Sequence, residues 1–251
     1  MPTQLLPNRH LEGLREAMLA FVRYGDRAGL DARVPTCPGW SLRELIAHQG
    51  MVHRWATANL RGERTDPDTL ERAGLTDPDP LEWLADGAID LVTAWTQAPA
   101  DVATVVFLND APGPKQFWAR RQCHETTIHA VDALAASLGR PPKAEEVWVD
   151  AELAADGIDE LLCGFLTRSK SRLRSDEPGV LVVAPDDREE WWEVSLSPQP
   201  AVSSRRTDLA PADADWVLTG PAVDLYLRLW NRGADAVDVA GWAERAPVTW
   251  A

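Results

Sequence analysis

Basic residues are scarce in this 251-residue chain: 25 Lys and Arg stand against 39 Asp and Glu, a formal net charge of −14. Nucleic acid and anionic membranes both select basic surfaces, so neither is expected as a partner. Cysteine is scarce too. Cys37, Cys123 and Cys163 are odd in number, far apart and never paired as C-x-x-C. That excludes a disulfide framework and fits a reducing cytoplasm. No window approaches the ~18 apolar residues of a membrane-spanning helix. The N-terminal MPTQLLPNRHLEGLREAML lacks the apolar core of a signal peptide. Aromatic residues other than tryptophan are few, 4 Phe and 2 Tyr against 12 Trp. The tryptophans read as filler of the core and of a domain interface rather than a binding platform. Abundant Ala, Arg and Asp with little Lys is the composition of a high-GC genome.

The apolar pattern that is present has two grammars. Leu11, Leu14, Met18, Phe21 and Val22 have helical spacing and predict a helix over 8–24. After the rigid VPTCPGW connection, Ser41 with Glu44 forms a capping-box pattern that opens a second helix, about 42–60. The Pro- and Asp-rich stretch 61–80 reads as loop. Asp79-Pro80 opens a third helix, with Leu81, Leu84, Ala88, Leu91 and Trp95 on one face. A short extended ATVVFL follows, and a fourth helix, about 115–138, stops at Gly139. These four make a bundle. The change of pattern and the prolines 141–142 divide the chain into domains 1–142 and 143–251. In the second, a helix over about 148–172 is followed by GVLVVAP, EEWWEVSLS, AVSSRR and DWVLTG, read as strands of an antiparallel sheet. Then come a helix in AVDLYLRLW and, in VDVAG, a possible last strand. The basic RSKSRLR (168–174) reads as the end of the first of these helices, complementing its dipole. The fold class is thus α+β in two domains: a four-helix bundle, then an α/β domain with a small, mainly antiparallel sheet.

Within the fourth helix, RQCHETTIHAVDA places charge where a core wants leucine. HETTIH resembles the H-E-x-x-H zinc pattern, but His124 and His129 are five apart, roughly 140° around a helix, and cannot reach one metal. Glu125 and His129 are four apart and share a face, with Asp132 and Arg121 on the same stripe. In the second helix His48 points into the apolar arc, while His53 lies at its edge. Two readings of these residues stand open. One is a pair of core histidines with a solvated carboxylate. The other is an inward-facing carboxylate–histidine metal site, of the kind bundle cores hold, with a zinc-type donor set and an open position. Asp132 is the candidate to hold the His129 tautomer. Cys123 lies on the opposite side of the helix and reads as packing, whereas Trp118 lies on the stripe.

VPTCPGWSLRELIAHQGMVHRW and HETTIHAVDA together resemble the N-terminal domain of mycothiol-dependent maleylpyruvate isomerase and its actinobacterial relatives. That domain is a DinB-like, up-down four-helix bundle. The family pattern, L-x-A-H and then E-x-x-x-H-x-x-D, falls on His48, Glu125, His129 and Asp132. The resemblance implies a divalent metal, zinc, held by His48, Glu125 and His129 beside a small-thiol site. DWVLTGPAVDLYLRLWNRG resembles the family's sterol-carrier-like C-terminal domain, whose active-site arginine falls on Arg232. Gly233, with its freedom at positive φ, then ends that helix. What the resemblance implies is an enzyme that uses a mycothiol-type thiol for isomerisation or S-transfer on a small electrophile; a cytoplasmic location is expected from the cysteines, and the sequence leaves monomer and homodimer both open. The alternatives are a metal-stabilised binding or regulatory module without catalysis, and a hydrolase using metal-bound water.

Overall fold

The computed structural model describes residues 5–248. They form two compact units. One comprises Leu6–Val106 and Pro112–Pro142; the other comprises Phe107–Ala111 and the chain from Lys143 onward, with Leu5.

The first unit is helical. α1 (Pro7–Ala28) buries His10, Leu14, Ala17, Phe21 and Gly25, a stripe at spacings of three and four that packs along α5 (Pro114–Leu138). α2 (Leu42–Arg61) begins at a complete capping box: Ser41 Oγ accepts from the Glu44 amide, and Glu44 accepts in return from the Ser41 amide at 2.6 Å. That reciprocal bonding satisfies two of the amides a helix N-terminus leaves orphaned. α4 (Pro80–Gln97) starts on the Asp79 carboxylate with proline in its first turn. Among the described residues no helix is long and apolar enough to cross a membrane.

The stretch expected to be loop, 61–80, contains a further helix, α3 (Pro67–Thr76). Asp66-Pro67 opens it with the same residue pair as Asp79-Pro80, though the Asp66 side chain makes no cap bond; a polar surface helix has too weak an apolar pattern to show in the sequence. α3 is held by close approach. A Cβ on Gly74 would lie 2.6 Å from the Trp83 ring of α4, and one on Gly50 of α2 would overlap the same ring. Arg54 covers Trp83 at 3.7 Å from the ring centroid and donates to its carbonyl. The ATVVFL piece pairs with no strand; Asn109, just beyond it, bonds Gly164 and Thr167 of the α/β unit.

In that second unit α6 (Ala151–Asp159) passes into a π-helical stretch, Glu160–Phe165. The helix therefore ends well before 172, and RSKSRLR lies in turns rather than at a helix end. Four strands follow: β1 (Gly179–Pro185), β2 (Trp191–Leu196), β3 (Val202–Arg206) and β4 (Trp216–Gly220), in the order β3-β2-β1-β4. Two pairings are antiparallel, but β1 and β4 run parallel, because the chain crosses from one edge of the sheet to the other. Tryptophans fill the core with their N–H groups satisfied: Trp192 donates to Asp159, Trp230 to the Gly157 carbonyl and Trp242 to that of Leu229.

α7 (Ala222–Leu229) starts on Asp187, which accepts from the Ala222 amide. VDVAG is not a strand; it leads into the short α8 (Trp242–Arg245). The positive φ after α7 belongs to Asn231, not Gly233. Gly233 is needed for another reason: a Cβ there would lie 2.9 Å from Arg228 Cγ.

The glycine clasp on Trp83 is testable. Overpacking costs about 1–3 kcal/mol, and the better helix propensity of alanine offsets about 1 kcal/mol. Gly50→Ala is expected to lower unfolding stability by up to roughly 2 kcal/mol net in urea melts. In a Trp83→Leu background the same substitution should be neutral or stabilising.

Candidate metal centre

Every residue of α5 from Phe117 to Ala135 is buried, including Arg120, Arg121, Gln122, His124, Glu125, His129 and Asp132. A buried polar group is costly unless it is paired. Here several pair with one another, which is how an element so poor in apolar residues can be buried. Arg121 donates to Glu125 Oε2 at 2.8 Å. His129 Nδ1 lies 2.9 Å from Asp132 Oδ2. Thr126 meets Gln49 and His53 of α2 at 3.1 and 2.9 Å. His124 meets the ring of His10 edge-on.

At one point this pairing gives way to convergence. Glu125 Oε1 lies 3.4 Å from His129 Nε2 and 3.7 Å from His48 Nε2. Both distances exceed a good hydrogen bond. Ligand atoms about 2.1 Å from a tetrahedral cation lie about 3.4 Å from one another, so the spacing suits a shared metal ion. One donor atom from each of His48, Glu125 and His129 falls within 4.8 Å of the others. The set is two imidazoles and one carboxylate, which fits zinc or a similar divalent ion.

The outer partners of the two histidines differ. Asp132 is fully buried and occupied on both oxygens: Thr36 Oγ1 donates to Oδ1 at 2.6 Å, and Cys37 Sγ reaches Oδ2 at 3.3 Å. His48 Nδ1 faces Glu71 Oε1 of α3 at 3.7 Å. Trp40 lies 5.0 Å from the His48 ring and stacks near-parallel to His129 at 6.4 Å, centroid to centroid. The loop that carries Thr36, Cys37 and Trp40 is closed by an Arg33–Ser41 bridge and by the turn at Gly39, whose φ of 98° suits glycine.

Electrostatics follow from this packing. Burial pushes the Glu125 carboxyl up, but Arg121 and the two imidazoles outweigh it and hold the group well below the usual carboxylate range. Burial likewise opposes charge on His129, yet Asp132 and Glu125 win and raise it to about 9. For His53 burial wins: with help from Arg54 it outweighs the opposing pull of the Leu84 backbone and of Glu125 and pushes the ring down to about 3.

Thr36, Cys37, Trp40 and Glu71 were not nominated from the sequence. The first three lie in VPTCPGW, whose density of Pro and Gly marked a turn but not what its side chains face. Glu71 was hidden with α3. His53 and His124 lie outside the convergent set. So does Trp118, which packs against Trp55 and Phe117 and donates to Thr104. Cys123 is fully buried. Arg232 follows α7, where its amide bonds the Leu227 carbonyl at 2.7 Å and its Nη1 donates to that of Trp230.

A helical-bundle domain with a buried His–Glu–His donor set, followed along the chain by a small α/β domain, is the class that fold and site define. Two family models match it: the mycothiol maleylpyruvate isomerase N-terminal domain over residues 11–134 and the corresponding C-terminal domain over 152–247. The chain belongs to the mycothiol-dependent maleylpyruvate isomerase family, a family of enzymes. Its fold is similar to the crystal structure of the mycothiol-dependent maleylpyruvate isomerase, with 20% identity, 100% of each chain covered and a TM-score of 0.59. A histidine-to-alanine mutant of such an enzyme matches at 19% identity, 100% of each chain and a TM-score of 0.61. Comparison with curated proteins finds no match.

His53 gives a pH prediction. Above its unfolded value of about 6.5 it is neutral in both states and contributes nothing. As pH falls below that value the unfolded chain takes up a proton that the folded chain refuses, down to about 3, so stability declines by at most about 1.4 kcal/mol per pH unit. His53→Gln should show a flatter loss of stability between pH 6 and 4, in roughly the same units, than the parent protein. Parallel urea midpoints across that range check it; identical slopes would remove His53 from the acid limb.

Proposed function

We propose that the protein is a metal-dependent isomerase or S-transferase that uses a low-molecular-weight thiol of the mycothiol type on a small electrophile. The observation that carries this reading is the convergence of His48, Glu125 and His129 on one point, with Glu125 Oε2 and His129 Nδ1 already engaged by Arg121 and Asp132. A divalent cation held there, zinc by its donor set, supplies a Lewis acid that lets a thiol ionise at neutral pH.

The chain's own residues prepare that step. Asp132 accepts from His129 Nδ1–H and fixes the ring with Nε2 facing inward, where a cation would replace the Nε2 proton. Thr36 and Cys37 hold Asp132 in place from the opposite side. Trp40 lies against both imidazoles, an apolar surface that keeps water from their faces. A thiolate would add to one carbon of an activated C=C bond, the π electron pair passing to the adjacent acceptor group. Rotation about the resulting single bond and expulsion of the thiolate would give the isomer, whereas uptake of the proton the thiol lost would give the S-adduct. A thiol co-substrate requires a reducing compartment, and a cytoplasmic location suits a chain whose three cysteines form no disulfide.

For an acceptor that bears a carboxylate, the family pattern nominates Arg232. A guanidinium grips a carboxylate through two parallel N–H bonds, and a lysine replaces it poorly. Arg232→Lys is expected to keep metal content and melting temperature while losing most kcat/KM toward an anionic acceptor. Unchanged turnover would reduce Arg232 to a helix-end residue.

The metal assignment has its own test. His48→Ala and His129→Ala should lose stoichiometric zinc by elemental analysis, whereas His53→Ala and His124→Ala keep it. Full occupancy in the first pair would sink the assignment. On zinc-loaded protein, turnover that needs a thiol supports the enzyme reading. Turnover without thiol points to hydrolysis, and metal binding without turnover on any thiol–electrophile pair points to a binding module.

A further inference from the structure

The two oxygens of Glu125 are not equivalent. Oε1 is the atom that both His48 Nε2 and His129 Nε2 approach, at 3.7 and 3.4 Å. Oε2 points the other way and is bonded by Arg121 Nη2 at 2.8 Å. Arg121 is one turn earlier on α5, and its side chain is 3% exposed. Breaking a buried, charge-assisted hydrogen bond of this kind is costly.

A carboxylate can bind a metal through one oxygen or through both, and the choice sets how many positions remain for a ligand. We infer that Arg121 is a positioning residue that sets the denticity of the site: by holding Oε2, it confines Glu125 to one metal bond and keeps a position open for the thiol. The inference rests on the metal reading above and deepens it, since it assigns the open position to a residue outside the ligand set. Its chemistry is specific to a bidentate donor. A guanidinium anchored by packing holds the carboxylate at a fixed angle. A neutral side chain of similar length leaves Oε2 free to close on the metal and occupy the position that the thiol would take.

Cobalt(II) serves as probe, because its visible absorption is intense in four-coordinate sites and weak at higher coordination, and because a bound thiolate adds a near-ultraviolet charge-transfer band. The cobalt-loaded parent protein is titrated with 2-mercaptoethanol beside Arg121→Met. The expected result is an intense visible band and a saturable charge-transfer band in the parent. In Arg121→Met the visible band weakens and half-saturation by thiol rises roughly 10–100-fold, the usual scale for loss of a ligand's outer partner. Equal spectra and equal thiol half-saturation in the two proteins overturn the inference while leaving the metal reading intact. Failure of the parent to bind stoichiometric cobalt or zinc overturns both.

Because removing Arg121 takes away the strongest positive partner of a buried carboxylate, Arg121→Met has a route to misfolding, so a measurement on the zinc-loaded parent stands beside it. X-ray absorption at the zinc edge should show one carboxylate oxygen at bonding distance. A second oxygen from the same carboxylate overturns the inference without any variant.

Discussion

The ion pair between Arg121 and Glu125 is the interaction on which the site depends. A carboxylate in the middle of a buried helix is costly unless a charge of opposite sign is beside it, and here that charge comes from the same helix, four residues away. This i,i+4 geometry makes the pair local, so it forms whenever α5 forms. It uses one carboxylate oxygen and leaves the other directed at the two imidazoles. Removing either member would take a principal counter-charge from a buried group.

The rest of the helical unit works around that pair. α5 is closed in on all sides along nineteen consecutive residues, Phe117 to Ala135. Such a helix has no solvent face to receive its polar residues, so each needs an internal partner. His129 takes Asp132, and Asp132 takes Thr36 and Cys37 from the loop before α2. Thr126 takes Gln49 and His53. These networks join α5 to α2 and to the loop more specifically than apolar packing does, since a hydrogen bond fixes direction where burial fixes area. Rigid support of this kind is what a ligand set needs.

Much of the helical unit was legible because its signals are local. Ser41 with Glu44, Asp79 with Pro80 and Gly139 are start and stop marks that act within one turn, and α2, α4 and α5 have them at their ends. The helix angle alone put Glu125 and His129 on one face and set His124 apart. α3 escaped because its apolar side is only a few residues wide and rests on glycines, Gly74 and Gly50, which carry no hydrophobic signal. In the α/β unit the four strands were readable from their β-branched and aromatic runs. Their directions were not: the parallel pairing of β1 with β4 depends on which sheet edge the returning chain reaches.

The sequence by itself determined the elements that form within a few residues of one another: the long helices, their caps, the strands, and the shared face of Glu125 and His129. Through the motif resemblance it also nominated His48 to join them, which spacing along one helix could not show. Tertiary structure alone decided which oxygen of Glu125 faces the imidazoles, that Thr36 and Cys37 hold Asp132, that Trp40 lies against His48 and His129, and that Glu71 faces His48. Each of those contacts joins residues from separate elements. Pairing between elements is set by how whole faces pack together, and no short window of sequence contains that packing.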